Sequence, residues 1–211
     1  MSSRKPYVYV VDDDASMRQS LKRLIGAHGF EVRAYETARA FLAESRIRHP
    51  SCLVLDVRLP DMDGLTLQEK LAEKEVFLPI IFITGYGDIP MSVKAMKKGA
   101  VDFLPKPFTA RSLTEAIGRA LERDKEHEAL EAANRKIQSL IDSLTPREQE
   151  VLPWIISGQL NKQIAGALGT TEKTIKVHRG HIMQKMGVSS VADLVRLTQK
   201  VGLKPAKKAL D

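Results

Sequence analysis

The chain is predicted to fold as an α/β unit with a doubly wound, five-stranded parallel sheet, followed by a smaller all-α unit. Three observations carry this. Apolar runs alternate with amphipathic stretches up to residue 124, which is the rhythm of a parallel sheet covered by helices on both faces. A charged stretch of helical periodicity follows, from Leu121 to about Leu144. The last third then breaks into short helical segments separated by Gly and Thr, with a strongly basic balance.

The elements follow in order. Strands are expected at Tyr7–Val11, Glu31–Tyr35, Cys52–Leu55, Ile80–Thr84 and Phe103–Leu104. Helices are expected near Ser16–Ala27, Thr37–Glu44, Leu65–Lys74, Pro90–Lys98 and Ala110–Glu122. The second strand, Glu31-Val32-Arg33-Ala34-Tyr35, is polar enough to be an edge, whereas its neighbours are continuous apolar runs of the kind buried on both faces. That favours the sheet order 2-1-3-4-5. The charged stretch carries Leu130, Ala133, Ile137, Leu140 and Leu144 at spacings of three and four. It is either a connecting helix resting one face on its own domains or a short dimeric coil. The expected division is 1–123, a helical linker over 124–143, and 144–211.

Thr145-Pro146-Arg147-Glu148 opens the last unit with an N-cap threonine, a proline at the first helical position and a glutamate at N3, a capping box. Pro153 falls inside the helix Pro146–Ser157 that follows and should kink it. Asn161–Leu168, a break at Gly169-Thr170, and Glu172–Met186 form a helix-turn-helix pattern, with Val191–Lys200 closing the unit. On the second of these helices Ile175, Ile182 and Met186 would face the core, while Lys173, Lys176, His178, Arg179 and Lys185 project outward. Such a helix fits the major groove of DNA.

Charge agrees with this division. Residues 1–144 hold 22 Lys+Arg against 21 Asp+Glu, and residues 145–211 hold 11 against 5. A basic unit joined to a near-neutral one points to a polyanion such as nucleic acid, or else to a solvated basic surface. Cys52, the single cysteine, lies in an apolar run and excludes an intrachain disulfide or a multi-cysteine metal site. The N-terminus is basic, but no apolar stretch long enough for export or membrane spanning follows it, so a cytoplasmic protein with no membrane partner is expected.

The chemistry sits where the strands end. Asp12 and Asp13 follow the first strand, Asp56 the third, Thr84 closes the fourth and Lys106 follows the fifth. In a parallel sheet these side chains converge in the crevice outside the carboxyl ends of the strands. Three carboxylates brought together repel unless a cation joins them, and hard oxygen ligands suit Mg²⁺. A carboxylate, a divalent ion, a hydroxyl and an ammonium are what phosphoryl transfer to an aspartate requires.

These residues carry a family resemblance. Val10-Val11-Asp12-Asp13-Asp14, the run Leu55 to Gly64 (LDVRLPDMDG) and Lys106-Pro107-Phe108 resemble the receiver domain of two-component response regulators, with its CheY/flavodoxin-like fold. Ile83 to Phe108 is similar to the FixJ subfamily, and NKQIAGALGTTEKTIKVHRGHIMQKMGV resembles the LuxR/NarL-type DNA-binding domain. The resemblance implies that Asp56 is the phosphoacceptor, attacking a phosphohistidine of a partner sensor histidine kinase. It implies Mg²⁺ held by Asp12, Asp13, Asp56 and the Arg58 backbone carbonyl. Lys106 and Thr84 would meet the phosphoryl oxygens, Phe103 would turn inward as the threonine moves, and the Lys106–Pro107 bond would be cis.

In the helix-turn-helix domain the resemblance assigns Lys176 and Val177 to bases, and Lys173, Thr174, Arg179 and Lys185 to phosphates of double-stranded DNA. Gly180 stands where some relatives have a base-contacting lysine, leaving readout there to Arg179 or His178. The implied function is a transcription regulator, not an enzyme, that forms a homodimer on phosphorylation. Asp14, Asp61 and Asp63 are expected to be caps or turn residues. Arg58 and Tyr86, two beyond the acceptor and two beyond the threonine, would border the water approach and give a long-lived phosphoryl group. Two rivals remain: an aspartyl-phosphate phosphohydrolase, for which the usual second aspartate is replaced by Arg58, and a phosphorylation-independent DNA-binding protein using the receiver fold to dimerise.

Overall fold

The computed structural model describes residues 5–44, 46–85 and 89–206; Tyr86 lies outside them. The chain divides into two compact units, Met1–Ala129 and Leu130–Asp211.

The first unit is a five-stranded parallel sheet in the order β2-β1-β3-β4-β5, from β1 (Tyr7–Val11), β2 (Glu31–Tyr35), β3 (Ser51–Asp56), β4 (Ile80–Thr84) and β5 (Asp102–Pro105). The edge placement of β2 follows from its polarity. All five of its residues remain exposed or half-buried, whereas β3 and β4 are buried throughout. Alternate side chains of the central strands feed two cores. Tyr9, Val11, Leu53, Leu55 and Phe82 pack on one face with Phe41 of α2 (Ala38–Leu42) and Leu67 and Leu71 of α3 (Gly64–Glu73). On the other face Val8, Val10, Cys52, Val54, Ile81 and Ile83 pack with Leu21 and Ile25 of α1 (Ala15–Ala27) and with Leu113, Ala116, Ile117 and Ala120 of α5 (Ala110–Asp142). Ala95 of α4 (Ile89–Lys97) joins the first core.

The aspartates expected at turns act as caps. Asp14 accepts from the backbone N–H groups of Ser16 and Met17 at the start of α1, and Asp63 accepts from that of Leu65 at the start of α3. Asp61 reaches across to accept from the N–H groups of Ala38 and Arg39, closing the first turn of α2.

The expected last receiver helix and the charged stretch after it form one helix, α5. Its stripe is put to more than one use: Ile137 and the following Leu144 are buried in the core of the second unit, joined by Ile141 from outside the stripe, while Leu130 is 57% exposed. That second core also takes Val151, Leu152 and Ile155 of α6 (Pro146–Ile156), Ile164 of α7 (Asn161–Ala167), Ile175 and Ile182 of α8 (Glu172–Lys185), and Leu194 of α9 (Val191–Gln199). Helix α6 begins with the complete Thr145/Glu148 capping box and continues through Pro153. Between α7 and α8 the chain turns at Gly169 with φ +61°, in the left-handed region that glycine adopts without strain.

Candidate acidic metal centre and helix-turn-helix face

The sheet order places the reversal of strand sequence between β1 and β3, so the crevice at their carboxyl ends is flanked by Asp12 and Asp56. Asp12 is fully buried and Asp56 nearly so, while Asp13 is exposed. One carboxylate oxygen from each of the three lies within 4.8 Å of the others. Lys106 enters from the end of β5 and its Nζ donates to Asp12 Oδ2 at 2.8 Å and to Asp56 Oδ2 at 2.6 Å. The Lys106–Pro107 peptide is cis, and the Lys106 N–H donates to the Thr84 carbonyl at 2.7 Å. Thr84 itself is buried at the end of β4. The four strand-end positions therefore meet in one place.

The electrostatics follow from burial and pairing. Burial alone would push the Lys106 ammonium down, but its bonds to Asp12 and Asp56 outweigh that and hold it above its ordinary value. Burial raises the Asp12 carboxyl against the pull of Lys106 and the Asp14 N–H. The Arg58 N–H donates to Asp56 Oδ1 at 3.0 Å, orienting the carboxylate. Phe103 is half-buried in β5, its ring 6.2 Å from that of Phe82 and tilted by 40°.

Lys106 supplies one positive charge to a set of three carboxylates, and it bonds to Asp12 and Asp56 rather than to the exposed Asp13. Among the described residues this is the group of acidic side chains close enough to share an ion. Its ligands are all hard carboxylate oxygens, so the donor set fits Mg²⁺. Sequence patterning missed one residue of the site. A Cβ on Gly64 would lie 2.6 Å from the Asp56 carbonyl oxygen and 3.1 Å from Val57 Cα, so glycine allows α3 to start directly behind Asp56. The Gly64 N–H donates to the Val57 carbonyl at 2.8 Å.

In the second unit α8 is capped by Thr171, whose Oγ1 accepts from the Thr174 N–H at 3.1 Å. Ile175 and Ile182 of α8 and the following Met186 are buried, as their spacing required. Lys173, Lys176 and Val177 are exposed, His178 is half-buried, and Gly180 and Gln184 continue the exposed stripe. Two of the expected cations have protein partners. Arg179 donates to Asn161 Oδ1 at 2.8 Å, tying α8 to the start of α7. Lys185 donates to Glu148 Oε2 at 2.7 Å. Burial opposes ionisation of Glu148, but Lys185 and the Thr145 N–H and hydroxyl outweigh it and hold the carboxyl at about 2.

The response regulator receiver domain family matches residues 8–118, and the luxR family of bacterial regulatory proteins matches residues 142–198. The chain belongs to the response regulators. It is 48% identical to nodulation protein W of Bradyrhizobium diazoefficiens over 96% of this chain and 89% of that one. It is 40% identical to the transcriptional regulatory protein FixJ of the same organism over 94% of this chain and 97% of that one. The solved structure of the response regulator StyR aligns with a TM-score of 0.76 at 49% identity, covering 93% of this chain and 99% of that one. This response regulator thus joins a receiver domain to a LuxR-family DNA-binding domain, the architecture of a phosphorylation-dependent transcription regulator. Among the described residues no helix is long and apolar enough to cross a membrane.

Proposed function

We propose that Asp56 of this cytoplasmic response regulator accepts a phosphoryl group from a phosphohistidine on a sensor histidine kinase, and that the phosphorylated protein dimerises and binds operator DNA. The observation that carries this is the half-buried Lys106 bridge between Asp12 and Asp56, set beside Asp13. An Asp56 carboxylate oxygen attacks phosphorus, the phosphorus–nitrogen bond breaks, and the imidazole leaves. Asp12, Asp13, Asp56 and the Arg58 carbonyl would hold Mg²⁺, which supplies the charge that offsets the crowded carboxylates and the phosphoryl oxygens. Lys106 already touches Asp56, and it exchanges its bond to Asp12 for one to a phosphoryl oxygen. Thr84 donates its hydroxyl to another, and Phe103 turns into the space beside Phe82. In the other domain Lys176 and Val177 enter the major groove, with Arg179 or His178 adding to base readout and Lys173, Thr174, Arg179 and Lys185 bordering the phosphates.

Mass measurement after incubation with acetyl phosphate and Mg²⁺ tests this. A retained, alkali-labile adduct of one phosphoryl group on Asp56 is expected. Rapid turnover without an adduct would favour a phosphohydrolase, and no reaction would favour a receiver that serves only for dimerisation.

A further inference from the structure

The three carboxylates of the acidic site are not held alike. Asp12 is fixed through both oxygens, Oδ1 by the Asp14 N–H at 2.9 Å and Oδ2 by Lys106. Asp56 is fixed by the Arg58 N–H and Lys106. The Asp13 carboxylate is exposed, and among the described residues none bonds to it. Its backbone therefore sets where its Cβ leaves the chain, and with it the few staggered positions the carboxylate can take. One side chain braces that backbone from both sides, beside the Asp14 N–H bond to Asp12: Nη1 of Arg18, from the first turns of α1, donates to the Asp12 carbonyl at 2.8 Å and to the Asp13 carbonyl at 2.9 Å.

These two carbonyls belong to the peptide planes on either side of the Asp13 Cα. Bringing both onto a single nitrogen fixes the rotation of each plane, hence φ and ψ of Asp13, hence the line along which its Cβ leaves the chain. Arg18 Nη2 also lies 3.8 Å from Glu36, an outer contact that is too exposed to contribute much. The Arg18 side chain is itself only 19% exposed, and its bond to the Asp12 carbonyl is partly shielded from water while that to the Asp13 carbonyl lies at the surface. A charged donor at each carbonyl makes stronger hydrogen bonds than water would.

We infer that Arg18 is a positioning residue for Mg²⁺: it chelates the two carbonyls flanking Asp13 and so presets the point from which the Asp13 carboxylate, held by no side-chain contact among the described residues, reaches the ion. The inference rests on the proposed metal site. A ligand held in place before the ion arrives binds it without the ordering cost that a free ligand incurs. The expected signature is a loss of metal affinity with little loss of rate once metal saturates, because Arg18 touches neither Asp56 nor the phosphoryl group.

Titration calorimetry of the full chain with MgCl₂ tests this in wild type, Arg18→Met, Asp13→Asn and the double variant. Arg18→Met should raise the Mg²⁺ dissociation constant roughly 3- to 30-fold, while the rate of adduct formation from acetyl phosphate at saturating Mg²⁺ changes less than about twofold. Arg18→Lys, whose single ammonium holds the two carbonyls less rigidly, should fall between. In the Asp13→Asn background the Arg18→Met effect should vanish, because the clamp acts through Asp13. An unchanged dissociation constant in Arg18→Met, or an effect that persists undiminished without Asp13, overturns the inference. Failure of wild type to bind Mg²⁺ would instead overturn the metal site itself. Global unfolding is read separately, from the metal-free melting curve. If Arg18→Met does not fold, Arg18→Lys decides alone: an unchanged constant overturns the inference, and a raised one that reverts in the Asp13→Asn background supports it.

Discussion

Replacing Glu148 with Gln should destabilise the DNA-binding domain by about 2 kcal/mol at pH 7. The carboxylate is 2% exposed and has two structural duties: it completes the capping box of α6 by accepting from the Thr145 N–H at 2.9 Å, and it anchors Lys185 of α8 at 2.7 Å. Glutamine keeps the first duty and loses the charge needed for the second. The carboxyl sits at about 2 against an ordinary 4.5, a difference worth roughly 3.4 kcal/mol at ~1.36 kcal/mol per pH unit. Lys185 is 37% exposed, and solvent screening of the pair reduces this to about 2 kcal/mol. The folded value is depressed, so the contribution is fully present above pH 4.5 and is lost as pH falls from there toward 2. The assay is built into the chain, because Trp154 is its single tryptophan and lies in α6. Urea titrations followed by tryptophan fluorescence therefore report on this domain alone. The gap between wild type and Glu148→Gln should be widest near neutrality, about half closed near pH 3 and closed only as pH approaches 2. A gap under about 0.5 kcal/mol at pH 7, or one independent of pH, would refute the assigned role of the buried pair.

Four other variants have expected outcomes. Gly64→Ala forces a Cβ to within 2.6 Å of the Asp56 carbonyl oxygen, so the receiver should lose about 1–3 kcal/mol and accept phosphoryl groups more slowly. Calorimetry should then show an earlier receiver transition with the Trp154 transition unmoved. Lys176→Ala should cost about 1–3 kcal/mol at the preferred sequence and little elsewhere. Lys185→Ala should weaken binding to all sequences, flatten its salt dependence and lower the Trp154 unfolding midpoint, because it also frees Glu148. If both lysine variants leave the unfolding midpoint unchanged, the Glu148 pair contributes nothing. Asp56→Asn should keep the wild-type circular dichroism and melting curve while forming no adduct by mass.

The residues that reason best from sequence are those at strand ends, because strand period and parallel topology together decide where they go. Asp12, Asp13, Asp56, Thr84 and Lys106 were legible for that reason, and so was the edge position of the polar strand Glu31–Tyr35. Strand and helix limits agree to within a residue or two, except where the charged stretch continues α5 without a break. Its heptad-like stripe left two uses open because periodicity shows that a face is apolar, not what covers it. Contacts set by tertiary geometry were not legible. Buried Asp124 takes the His49 ring at 2.8 Å and the Ser51 N–H at 2.7 Å, more than seventy residues away, and no local pattern announces it. Arg18 reads as one more basic residue on an amphipathic helix until its two carbonyl partners are seen. Arg179 and Lys185 read as free basic side chains, yet each is engaged within its own domain, because propensity arguments do not reveal which acid or amide a long cation can reach. Gly64 closes the run that carries the receiver resemblance, but no local pattern tells that a Cβ there would meet the Asp56 carbonyl.

Linkage between the two domains is tested most directly by DNA affinity as a function of Asp56 phosphorylation. Duplexes selected by the phosphorylated protein from a random pool serve as probe, titrated with the full chain before and after treatment with acetyl phosphate and Mg²⁺, in wild type and Asp56→Asn. Wild type should gain at least about tenfold in affinity on phosphorylation, roughly 1.4 kcal/mol, together with a shift from monomer to dimer. Asp56→Asn should gain neither. Equal affinities for phosphorylated and unphosphorylated wild type, or a gain that survives in Asp56→Asn, would contradict control of DNA binding through Asp56.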